Sequence, residues 1–135
     1  MCNNSCNECP RKIYSSSVTV VTVDDVDTLV IDVPQQTFLN CQKGCIVITQ
    51  SIPSTATLFM PVAISIGGVT TTVYPVLNCN CEQVTACMIR TRRRYPFKVA
   101  INGTDANFKV LKNLSCGPCN NLASIPVTTT AGEGG

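Results

Sequence analysis

From Val18 to Val33 the chain reads V-T-V-V-T-V-D-D-V-D-T-L-V-I-D-V, two β-branched runs split by Asp24 and Asp25. Val, Ile and Thr lose χ1 freedom in a helix and pack well on a pleated surface, so such runs predict strands. The acidic pair between them predicts a turn. The same alternation of run and turn recurs along the chain. Val62, Ile64 and Ile66 fall on one face with period two, Gly67-Gly68 follows, and Val69 to Val76 resumes an extended run. A Gly-Gly pair supplies the positive φ that a tight hairpin turn requires. Tyr95 to Ile101 and Ala106 to Leu111 flank Asn102-Gly103-Thr104-Asp105, a second hairpin signal. Further strands are expected at Cys45 to Gln50, at Gln83 to Thr91, and at Leu122 to Thr128 as an edge. Pro34 to Asn40 and the stretch around Ile52, Pro53 and Ser54 read as loops.

Composition supports the same class. The chain holds 16 Val, 16 Thr and 10 Ile against 7 Leu and 7 Ala, which disfavours a helical bundle. With 44% hydrophobic and only 13% charged residues it is not a disordered chain. A length of 135 residues allows one domain. The expected fold is all-β: an antiparallel β-sandwich or jelly-roll-like barrel of about eight or nine short strands. It is expected over residues 13–127, with a Cys-rich N-terminal arm at 1–12 and a flexible tail at 128–135.

The chain has no His and no Trp, so histidine triads, imidazole acid–base chemistry and histidine-ligated metals are excluded. No enzyme is expected. Asp24, Asp25, Asp27 and Asp32 lack the spacing of a calcium loop and read as a solvated hairpin turn. The net charge of +2 is uneven: residues 1–67 carry 3 basic and 5 acidic side chains, residues 68–135 carry 7 and 3. Most of the excess is Arg90, Arg92, Arg93 and Arg94, which on a strand alternate between faces. Tyr95 is the one aromatic neighbour, too few for a stacking platform, so sequence-specific nucleic-acid binding is not expected. These arginines guard an edge strand or meet an acidic partner surface across an interface.

Ten cysteines dominate the rest of the chemistry. Cys79, Cys81, Cys116 and Cys119 are candidates for a structural zinc site, since two short loops can each deliver two thiolates to a tetrahedral ion. Cys-x-Cys is tighter than the usual zinc knuckle. Cys2, Cys6, Cys9, Cys41, Cys45 and Cys87 are candidates for disulfides within or between chains. Cys116-Gly-Pro-Cys119 matches a thioredoxin-type motif in letters, but strand-like text follows it where a helix is needed. No secretory signal precedes Pro10, and no apolar run is long enough to span a bilayer, so no membrane association is expected. Sequons at Asn3, Asn102 and Asn113 then carry no meaning. Synthesis in a cytoplasm and a heavy cysteine load are reconciled if the protein joins a particle that is later released, a virion or a spore coat.

Cys45-Ile-Val-Ile-Thr-Gln, Ile52-Pro53, Met60-Pro61-Val62, Tyr74-Pro75, Asn78-Cys-Asn-Cys, Gln83-Val-Thr-Ala, Thr91-Arg-Arg-Arg-Tyr-Pro and Asn113-Leu-Ser-Cys together carry a resemblance. The chain resembles small Cys-rich, head-associated proteins of tailed phages and prophages of gut bacteria. That resemblance implies an auxiliary or decoration protein, found in the virion, that binds a major capsid protein or identical subunits as a homo-oligomer. In the type of its arm, through Cys2, Cys6 and Cys9, it also resembles endospore appendage subunits. That likeness implies a disulfide-linked fibre. A zinc-binding interaction module is the third reading.

Overall fold

A computed structural model describes residues 11–116. Eight strands make up the fold: β1 (Lys12–Tyr14), β2 (Ser17–Val23), β3 (Val26–Val33), β4 (Lys43–Val47), β5 (Val62–Ile66), β6 (Val69–Leu77), β7 (Arg94–Asn102) and β8 (Asp105–Val110). They form one open sheet in the order β1-β4-β7-β8-β6-β5-β3-β2. The described residues contain no α-helix, only a 3-10 turn at Ala86–Met88. The chain is all-β, as expected.

Three hairpins stand where turn chemistry places them. β2 and β3 are joined by Asp24 and Asp25 at φ 50° and 65°, β5 and β6 by Gly67 and Gly68 at 63° and 80°, and β7 and β8 through Gly103 at 64°. The expectation of a purely antiparallel sheet is corrected: β1–β4, β3–β5 and β6–β8 run parallel, so the sheet is mixed. β4 lies in the other half of the sheet from β3 and β5. The chain therefore leaves β3, crosses to β4 and returns, which sets β5 parallel to β3.

The strand expected over Gln83 to Thr91 is also corrected. Gln83 and Thr85 make isolated bridges to Leu77 and Pro61, and a turn at Thr91 and Arg92 precedes β7. The run is broken by the 3-10 turn at Ala86–Met88, where Met88 N donates to Thr85 O and Ile89 N to Ala86 O, each at 3.0 Å, and beyond it Tyr95 holds Arg90. The buried Tyr95 hydroxyl accepts from Arg90 N at 2.7 Å and donates to Arg90 O at 3.3 Å, occupying the backbone groups that a ladder partner would use. β1 was not expected; three residues with a single buried side chain, Ile13, leave no period to read.

The sheet bends so that its two halves share one core. β6 makes the first corner: Tyr74 and Pro75 pair with β5, whereas Val76 and Leu77 pair with β8. Ser15 and Ser16 make the second. Ser15 N donates to Val47 O of β4 at 2.9 Å, and Ser16 N donates to Asp32 O of β3 at 2.7 Å. One stretch of chain thus supplies both edges of the sheet, β1 and β2. Ser15 is buried, its Oγ accepts from Thr49 N at 2.9 Å, and that hydroxyl also bonds Gln50 Oε1. Between the halves, Ile31 and Ile64 face Ile46, Tyr95, Phe97 and Phe108 around a void of about 20 Å³.

Candidate interaction cleft

The two halves part where β6 and β8 separate above the Val76↔Phe108 pair. An open cleft of about 490 Å³ lies there, between the β5–β6 and β7–β8 hairpins. Its floor is aromatic. Phe38 meets Phe108 edge-on at 5.1 Å between centroids, and Tyr74 meets the same ring at 6.4 Å. Ile66, Val69 and Thr72 form one wall; Val99, Ile101 and Ala106 form the other.

Residues 34–42 close the third side, and backbone bonds explain why. The segment leaves β3, lays Gln35 over Gly67 so closely that a Cβ there would press on the Gln35 side chain, and then crosses to β7. Cys41 N donates to Val99 O at 2.8 Å, and Ile101 N donates to Asn40 Oδ1 at 2.8 Å. This strap delivers Phe38 to the floor, with Gln35, Gln36 and Thr37 lining the mouth. Asp32 stabilises the adjoining turn, its Oδ1 accepting from Ser65 Oγ and from Gly68 N, each at 2.7 Å. Among the described residues, the lining is apolar or neutral, with the Tyr74 phenol its one ionisable group, a surface that suits apolar or neutral groups.

At the far end of the molecule the cysteines are sorted. Cys87 and Cys116 form a disulfide with Cα atoms 4.9 Å apart, across a sequence separation of 29. Closing a loop of that length stabilises by about 3–4 kcal/mol in the chain-entropy picture. Cys45 and Cys79 are half-cystines as well, while Cys41 and Cys81 are free and exposed. In this oxidised state Cys79 and Cys116 have no thiolate to offer zinc. The expected set of Cys79, Cys81, Cys116 and Cys119 is thus not assembled among the described residues. Cys2, Cys6, Cys9 and Cys119 lie outside the described residues.

Asn78 and Arg90 hold the segment that carries Cys116. Buried Asn78 accepts from Leu114 N and donates to Leu114 O, both at 2.9 Å, and its Oδ1 also accepts from Cys79 N at 3.0 Å. Arg90 Nη2 donates to Cys116 O at 3.2 Å, so this arginine serves the fold. Arg92 is exposed on the turn, Arg93 is exposed just after it and Arg94 opens β7, so the expected alternation along a strand is interrupted by a turn. Burial pushes the Tyr95 phenol above its ordinary value, opposed by its hydrogen bond to the Arg90 backbone and by the nearby Arg93 and Arg90 guanidiniums.

Sequence reasoning missed the cleft. One signal pointed to it: Phe38 is a large aromatic residue inside a predicted loop, where a solvated connection has no use for it. No family model, curated protein or solved structure matches the chain.

Proposed function

We propose that the protein is a structural subunit of a virion, an auxiliary or decoration protein that binds and stabilises a capsid as an oligomer. The cystine pattern carries this reading. Cys45, Cys79, Cys87 and Cys116 are all half-cystines, in a domain whose open cleft holds no charged group. Staples of this kind slow unfolding in a released particle, where a lost subunit is not replaced. The resemblance to head-associated phage proteins supports the same reading. So do Arg92 on the turn and Arg93 just after it, an exposed basic feature suited to an acidic capsid surface. In this reading the two halves of the sheet serve as the leaves of a jelly-roll-like sandwich.

A disulfide-linked fibre subunit is the second reading, favoured by the unpaired thiols of Cys41 and Cys81 among the described residues. Cys41 sits beside Val99 near the hairpin end of β7, whereas Cys81 follows β6 at the opposite end, so each thiol is free to meet a different neighbour. The test is immunogold labelling of particles from lysed producing cells with antibody raised against the purified chain. Labelled phage heads are expected. Labelled filaments move the assignment to the fibre, and labelling of neither particle overturns both.

A further inference from the structure

We propose that residues 122–128 dock as a further strand on the open side of β2, antiparallel to it and within the same chain. β2 ends the sheet, and its seven residues, S-V-T-V-V-T-V, carry neither a charge nor a proline. The opposite end, β1, is three residues long and begins at Lys12. Sheet edges that stay unpaired are kept short, charged or interrupted by proline, so β1 has the character of a free edge and β2 does not.

The hairpin fixes which groups β2 has to offer. Its two-residue turn, with Asp24 and Asp25 at positive φ, makes Val23 and Val26 a hydrogen-bonded pair, and bonded and unbonded pairs alternate from there. Val18, Val20 and Thr22 therefore turn N–H and C=O away from β3. The same parity holds one strand further in: Leu29, opposite Val20, donates its N–H to Pro61 O at 2.9 Å, on the side away from β2. Val18 is buried and Val20 packs against the core, so the inner face of this edge is apolar, whereas Ser17 and Thr19 stand on the outer face.

Residues 117–135 lie outside the described residues, and 122–128 read L-A-S-I-P-V-T, a run as long as β2. Set antiparallel and end to end, Ala123 meets Thr22, Ile125 meets Val20 and Val127 meets Val18. Pro126, which has no N–H to give, then faces solvent, the side on which an edge strand tolerates it. Ile125 and Val127 extend the apolar face, and Ser124 and Thr128 the polar one. The opposite parity turns the proline nitrogen against β2 and sets Ser124 beside Val20.

The path of the chain supplies the direction and the reach. Cys116 is bonded to Cys87, whose N–H donates to Leu58 O, and Pro61 beyond it accepts from Leu29 near the Val23 end of β2. A chain leaving Cys116 thus meets β2 at Val23 and runs toward Ser17, which makes the pairing antiparallel. From Cys87 the successive neighbours are the 58–61 segment, β3, β2 and the docked strand, four strand spacings or about 19 Å. The seven residues from Cys116 to Ala123 span up to about 23–25 Å when extended.

Amide hydrogen exchange, read residue by residue by NMR on the full chain with disulfides intact, tests this docking. The amides of Val18, Val20 and Thr22 are expected to be protected alongside those of Thr19 and Val21, which bond β3. Ile125→Pro removes a donor aimed at β2 and is expected to speed exchange of the first three about tenfold, the scale of one lost hydrogen bond. Ser124→Pro, where the lost N–H faces solvent, is expected to leave them protected. Thr19 and Val21 report in both variants that the hairpin still folds, and a chain ending at Asn121 replaces Ile125→Pro if that variant misfolds. Val18, Val20 and Thr22 amides that exchange freely in the full chain, or that stay protected once the donor or the segment is gone, overturn the docking. Protection that fades on dilution, as sedimentation velocity shows oligomers dissociating, assigns the strand to another copy and overturns docking within one chain.

Discussion

Ser15→Ala removes one oxygen from the corner where the chain passes from β1 to β2. Thr49 N then loses its acceptor at 2.9 Å, and Gln50 Oε1 loses its hydroxyl partner. The bonds to the Ser15 carbonyl, from Gln50 Nε2 at 2.9 Å and Thr49 Oγ1 at 3.2 Å, survive the change. The loss is the two hydrogen bonds of the hydroxyl, one accepted from Thr49 N and one donated to Gln50 Oε1, at about 1 kcal/mol each. Together these come to about 2 kcal/mol. For a domain of this size that lowers Tm by roughly 6–12 °C. Urea unfolding of the oxidised chain, followed by far-UV circular dichroism, measures it directly. Ser16→Ala is the control, because Ser16 is exposed and engages this corner through its backbone N–H. If Ser15→Ala matches Ser16→Ala to within about 0.5 kcal/mol, the ordinary scatter of surface substitutions, then the hydroxyl does not hold the two edges together. The account of this corner then fails.

Three other outcomes are expected. Asn78→Ala removes three side-chain hydrogen bonds at the turn after β6, including both that hold Leu114, so trypsin cleavage after Lys112 accelerates before global unfolding; unchanged cleavage contradicts the anchoring role. Gly67→Ala brings a methyl to 3.2 Å from Gln35 Cβ, at the fixed base of that side chain, whereas Gly68→Ala meets nothing within 4 Å. Both bear the strain of positive φ, so the first is expected to destabilise by about 1 kcal/mol more than the second in urea melts. Because burial raises the Tyr95 phenol above 10.0, the folded chain holds this proton more tightly than the unfolded one. Its contribution is complete below the unfolded value and is lost as pH rises through the folded value. Alkaline melts of Tyr95→Phe are expected to lack this component; identical pH slopes for the two proteins argue against it.

The three hairpins were legible because their information is local. Asp24-Asp25, Gly67-Gly68 and Asn102-Gly103 tolerate or favour positive φ, and each stands between runs whose β-branched side chains favour a pleated surface. The absence of histidine was equally plain. Gln83 to Thr91 misled because its alternating text describes a strand only if a neighbour takes its backbone groups. The 3-10 turn at Ala86–Met88 took those of Thr85 and Ala86, and the Tyr95 hydroxyl those of Arg90.

By itself the sequence determined the class of the fold, its tight turns, and the supply of thiols. Only the tertiary structure decided that β6 serves both halves of the sheet and that Ser15 and Ser16 join its two edges. The same is true of the Cys87–Cys116 pairing and of Phe38 meeting Phe108 beneath an open cleft. The physical reason is range. A turn is set by the torsional preferences of two adjacent residues, whereas parallel pairing, a cystine and a cleft depend on which distant segments a shared core brings together.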